Sequence, residues 1–204
     1  MVVVWPAAAL AQGGPPIPGP VDRPEGFAEV RAKYEGLSRD GVVEAGYEIP
    51  PECVAVPGIG GMGYHATHPE RYQEQFEAGE MDAEHPPILL LDKDYVVRGL
   101  EWEAKDIGQG ELELYGQTVE LQPGHPGVEE PHYMLHAYFR PDGKVLLISS
   151  ASVPPFDPEL ECLPGMPGTG AGGMAGGGLP LGSTAATLSL LMASGYVVLA
   201  LCDA

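Results

Sequence analysis

Six histidines and a run of strand-borne carboxylates are the residues of this chain with the chemistry to hold a metal ion or move a proton. His132 and His136 lie four apart. On a helix that spacing would chelate one ion, but on a strand it leaves both imidazoles on one face about 13 Å apart, too far for a single ion. The surrounding residues favour a strand: Tyr133, Leu135, Ala137 and Phe139 alternate with His132, Met134, His136 and Tyr138, a period of two. Glu101 and Glu103 resemble a hydrolase carboxylate pair. They also alternate with Leu100 and Trp102, as on an ordinary half-exposed strand. His68 reads as a helix-start residue, and His85 and His125 sit beside prolines in loops and carry no signal. Gly-x-Ser-x-Gly, phosphate-loop and His-Glu-x-x-His patterns are absent. The glycines around Met62 (GIGGMG) lie in no βαβ pattern; a tight turn that brings Tyr64 and His65 to the sheet fits them better than a nucleotide cradle.

The elements that would position these residues are mostly strands. Asp22 to Leu37 has Phe27, Val30, Tyr34 and Leu37 at helical spacing, with Pro24 suited to a first turn and Gly41 as a stop. A shorter helix is predicted after Thr67-His68-Pro69-Glu70, a capping-box pattern, with Tyr72 and Phe76 on one face. Ile88 to Leu91 is a short buried-strand pattern, and Lys93-Asp94 turns into a strand from Tyr95 to Ala104. Leu112 to Leu121 breaks at Gly116, and Pro141-Asp142-Gly143 turns the chain back into Val145 to Ile148. The expected fold is α+β and mainly β: an antiparallel rolled sheet or small barrel with one or two accessory helices, over residues 26–163.

Both ends have a different composition. Residues 1–11 end in Ala9-Leu10-Ala11, the small-x-small form that signal peptidase cleaves, which makes them a signal-peptide remnant. The basic n-region is missing, as it would be from a start assigned too far downstream. Residues 12–25 form a Pro/Gly spacer. Residues 164–183 are a Gly/Pro linker, and residues 184–201 are uncharged, apolar and long enough for a transmembrane helix. Within the linker Met166, Pro167, Gly168, Thr169 and Gly170 resemble the L-P-x-T-G sorting signal of Gram-positive surface proteins. That resemblance implies cutting by a sortase after Thr169 and linkage to the cell wall; plain membrane retention is the other reading. The expected location is the extracellular face, anchored to membrane or wall. With 29 acidic against 10 basic residues the formal charge is −19, which repels phosphate backbones and argues against a nucleic-acid partner. Of the three cysteines, Cys202 sits at the edge of the membrane segment, whereas Cys53 precedes the first strand-rich block and Cys162 closes the domain. In an oxidising compartment Cys53 and Cys162 are natural disulfide partners.

Several segments together, CVAVPGIGGMGYH, PPILLLDKDYVVRGLEW, LYGQ, YMLHAYF and FDPELEC, resemble a widespread family of uncharacterised secreted bacterial proteins. Its members carry a Met-Gly-x-His segment, a Val/Leu-Glu-Tyr/Trp strand end, a Phe/Tyr-Gly-Gln turn, a Leu-His-x-aromatic strand and a closing Cys. The resemblance spans roughly Cys53 to Cys162 and departs at Phe156-Asp157-Pro158, where an aromatic-rich Asn-Pro segment is usual. It names no activity. The matched positions include His65, Glu101 and His136, two imidazoles and a carboxylate, which suit a divalent transition metal such as Fe(II) or Zn²⁺ with an open coordination position. The alternative is that each His hydrogen-bonds across the sheet while Glu101 accepts from a backbone or Tyr donor. Three functions follow: a surface domain binding a small ligand or metal, a mononuclear metalloenzyme, or a structural envelope module.

Overall fold

The structure is a computed structural model that describes residues 2–3, 18–56, 60–125, 127–150, 153 and 155–161. Cys162, the sorting-signal residues 166–170 and the apolar segment 184–201 lie outside the described residues, as do most of residues 1–17. No helix among the described residues is long and apolar enough to cross a membrane.

In chain order the elements are β1 (Val2–Val3), α1 (Phe27–Tyr34), α2 (Arg39–Glu44), β2 (Cys53–Val56), β3 (Gly60–Thr67) and α3 (Pro69–Ala78). Then come β4 (Ile88–Leu91), β5 (Val97–Lys105), β6 (Leu112–Leu114), β7 (Gln117–Val119), β8 (Leu121–Gln122), β9 (His132–Phe139) and β10 (Val145–Ile148). The fold is mainly β, a curled half-barrel sheet with few helices. The main sheet runs β1-β2-β3-β4-β5-β9-β10, with β8 paired to β9, and β6-β7 form a separate hairpin. All pairings in the main sheet are antiparallel except β1, which lies parallel to β2. Val21, in the stretch expected to be spacer, bridges Val145 of β10.

The period of two sorts the central strands onto two faces. Leu89, Leu91, Leu100, Trp102, Ala104, Leu135 and Ala137 join Phe27, Val30 and Tyr34 of α1 in the main core. The opposite face carries Ile88, Leu90, Tyr138, Leu146 and Ile148, and with them Glu101, Glu103, His132 and His136. Both faces of β9 are buried along its whole length. The half-exposed strand expected around Glu101 and Glu103 is therefore corrected: both carboxylates are buried.

The helices are shorter than their sequence patterns. α1 starts at Phe27, after Gly26 at φ 75°, and ends at Tyr34. Gly41 does not stop it; Ser38 caps a second helix, accepting from the Gly41 N–H, and Gly41 lies inside α2. In α3 the N-cap is His68 and not Thr67, because Thr67 is still the last residue of β3 and donates to the His65 carbonyl. Tyr72 and Phe76 do share a face, stacked at 5.4 Å. Of the glycines around Met62, Gly60, Gly61 and Gly63 lie in strand β3, and Gly58 lies outside the described residues. A side chain at Gly63 would collide with the Leu91 carbonyl, and one at Gly60 with the Asp157 carbonyl, so these glycines serve close backbone approach. Cys53 is the first residue of β2, inside the sheet and not ahead of it.

Candidate metal centre

The register fixes the centre of the site. Glu101 of β5 pairs directly with His136 of β9, on the same face. His65 of β3 pairs with Leu90 of β4, the strand between β3 and β5, so it reaches Glu101 across two strand spacings of about 9–10 Å in all. Both side chains are long enough to close that gap. His65 Nε2 lies 3.2 Å from Glu101 Oε2, and His136 Nε2 lies 3.3 Å from Glu101 Oε1. One ligating atom from each of the three residues lies within 4.8 Å of the others. The three residues singled out by type converge.

The contacts differ from those of a finished ion pair. Charge-assisted N–H···O bonds are usually about 2.7–2.9 Å long. Both distances here are longer, and Glu101 Oε2, His136 Nε2 and His136 Nδ1 are buried without a hydrogen-bond partner among the described residues. Buried polar atoms are nearly always satisfied, so the two orphans that share one point, Glu101 Oε2 and His136 Nε2, indicate donors arranged for something other than each other; His136 Nδ1 faces away from that point. Two imidazole nitrogens and a carboxylate oxygen are the donor set a first-row divalent ion takes, and the fit in residue type and spacing is good.

The electrostatics differ between the two imidazoles. Burial raises the Glu101 carboxyl, but the imidazoles of His136 and His65 outweigh it and hold it well below its ordinary range. Burial lowers His65 while the Glu101 charge lifts it, and the net shift is upward. For His136 burial wins and the shift is downward, which favours a neutral imidazole with a lone pair to give.

The polar residues expected to orient these ligands are mostly elsewhere. Tyr64 stacks on Tyr95 at 4.6 Å, and Gln117 is exposed on the β6–β7 hairpin, its amide donating to the Thr118 carbonyl. Tyr138 lies beside the site. Its ring stacks on His136 at 5.8 Å while its hydroxyl donates to the Pro155 carbonyl, so it positions the imidazole by packing.

His65 and Glu101 line a cavity of about 630 Å³ together with Glu103, His125, Tyr72 and apolar side chains including Met62, Ile88 and Met134. Sequence reasoning passed over His125 and set Glu103 aside as part of an ordinary half-exposed strand. His125 had no motif to mark it, and it is held by a local bridge between His125 and Val128. Glu103 accepts a 2.6 Å hydrogen bond from Tyr72 of α3, a contact between elements that no spacing announces.

The fold and site define a mainly β domain with a histidine–carboxylate centre at one cavity wall. No protein-family model, curated protein or solved structure matches the chain.

Proposed function

We propose that the domain binds a divalent transition metal through His65, Glu101 and His136, with an open coordination position toward the cavity. The observation that carries this reading is the convergence of two buried donors, Glu101 and His136, with the half-buried His65, their contacts with one another longer than those of a finished ion pair. A mononuclear metalloenzyme is the second reading, favoured by the largely apolar cavity that His65 and Glu101 line. The setting we infer is an exported, surface-anchored protein of the secreted bacterial family whose motifs it resembles. Residues 184–201 would be its membrane anchor, Met166–Gly170 a sortase signal, and Cys53–Cys162 its disulfide. Support for that pairing comes from Cys53 being buried at the start of β2 and Glu161 being tied to Lys93 by a backbone hydrogen bond just before Cys162. Elemental analysis of the full chain, purified without chelators, tests the metal. At least one equivalent is expected, falling by one on H136A; a metal-free protein that takes up none on addition of Zn²⁺, Fe²⁺ or Co²⁺ contradicts it.

A further inference from the structure

We propose that Glu103, His125 and His132 form a second, separate divalent-metal site in the same cavity. One ligating atom from each lies within 4.8 Å of the others, with Glu103 Oε1 at 3.5 Å from His125 Nε2 and 3.9 Å from His132 Nε2. These distances exceed those of hydrogen bonds, and His132 Nε2 is buried without a hydrogen-bond partner among the described residues.

The surroundings orient each donor toward the common point. His132 is fully buried, and its Nδ1 lies 2.8 Å from the Glu130 carbonyl, which can only accept. Nδ1 therefore donates to it, and Nε2 is the ring nitrogen left to face Glu103. A backbone carbonyl behind the ligating ring is the usual support for a metal-bound imidazole. Glu103 is oriented in the same way: Tyr72 donates to Oε2 and leaves Oε1 to face the two imidazoles. His125 approaches from the loop between β8 and β9, its ring edge-on to His132 at 4.8 Å.

The strand spacing keeps this site apart from the first. Glu101 and Glu103 are alternate residues of β5, about 7 Å apart along the strand, and His132 and His136 are about 13 Å apart along β9. Bridged two-metal centres hold their ions about 3.5–4 Å apart. Each carboxylate here faces its own pair of imidazoles, so the two ligand sets share no residue and can be tested separately.

The test is a titration of the metal-stripped full chain with Co²⁺, read by absorption and by bound metal after gel filtration. The variants are H125A, H136A, E103Q and Y72F. His125 is half-buried on a loop, so H125A leaves the sheet intact, which near-ultraviolet circular dichroism checks. Two equivalents are expected in the unmodified chain, falling to one in H125A, in E103Q and in H136A, with the surviving spectrum differing between H125A and H136A. Y72F should keep both sites while weakening the second by about 10–100-fold, as loss of an orienting partner does. One equivalent in the unmodified chain, unchanged by H125A, would overturn the proposal and leave the first site standing. Two equivalents lost together in either His variant would overturn it in favour of one joined centre. No binding at all would overturn both.

Discussion

His136 is completely buried with neither ring nitrogen hydrogen-bonded among the described residues, an arrangement that costs stability unless a ligand uses it. An unsatisfied buried polar group costs on the order of 1–3 kcal/mol, comparable with the packing a His→Ala change forfeits. H136A in the metal-free protein should therefore shift Tm by only a few degrees, while abolishing the rise in Tm that metal gives the unmodified chain. Thermal melts with and without Zn²⁺ check this; a large metal-independent loss would mark His136 as a structural residue. The protonation states give a second prediction. His65 is held protonated above its ordinary range, chiefly because the Glu101 charge overcomes burial, whereas His136 is already biased to the neutral form. Metal takes only the neutral imidazole, so loading the first site between pH 6.5 and the raised His65 value must expel one proton, from His65. Affinity should fall about tenfold per pH unit on acidification through that window. Calorimetry of H125A in buffers of different ionisation enthalpy reads the proton count, and a count of zero contradicts the assignment.

At the scale of elements, the sheet is tied shut by the segment after β10. Arg140, just past β9, makes a bidentate pair with Asp157, both hydrogen bonds 2.8 Å and both residues buried, and Asp157 also bridges Gly61 of β3. Removing the carboxylate leaves a buried guanidinium uncompensated, so D157A should cost about 3–5 kcal/mol. Chemical denaturation measures it, and a change below 1 kcal/mol would show that the pair is idle. Much of this level was legible in advance. The alternation of β9, the apolar run of β4 and the Pro141-Asp142-Gly143 turn reflect local periodicity and turn chemistry that act within a few residues. β3 was hidden because its glycines resemble a turn, and only the approach of Leu91 and Asp157 explains them. α2 was hidden by Gly41. The first site was legible because its three metal-ligating residues fall at positions of the motifs the chain resembles. The second was not, since His125 reaches Glu103 only through the path of a loop.

For the whole molecule, the long-range claim is the closure of the domain by Cys53 and Cys162. Such a bond encloses most of the described sheet, and chain entropy puts its contribution at roughly 4–5 kcal/mol, less any strain. Peptide mapping without reduction should find the two joined, and reduction should lower Tm by many degrees; ready alkylation of both thiols in the native protein contradicts the pairing. The charge of −19 suits a solvated exterior, and the buried acidic groups are matched by imidazoles at Glu101 and Glu103 and by guanidinium groups at Asp92 and Asp157. The claim on which the rest depends is that His65, Glu101 and His136 ligate one ion. X-ray absorption on zinc-loaded H125A, where only this site remains, reads the ligands directly. The account predicts nitrogen and oxygen scatterers at about 2.0–2.2 Å with the outer-shell pattern of two imidazoles. A spectrum with sulfur in the first shell, or with oxygen alone and no imidazole, would contradict it.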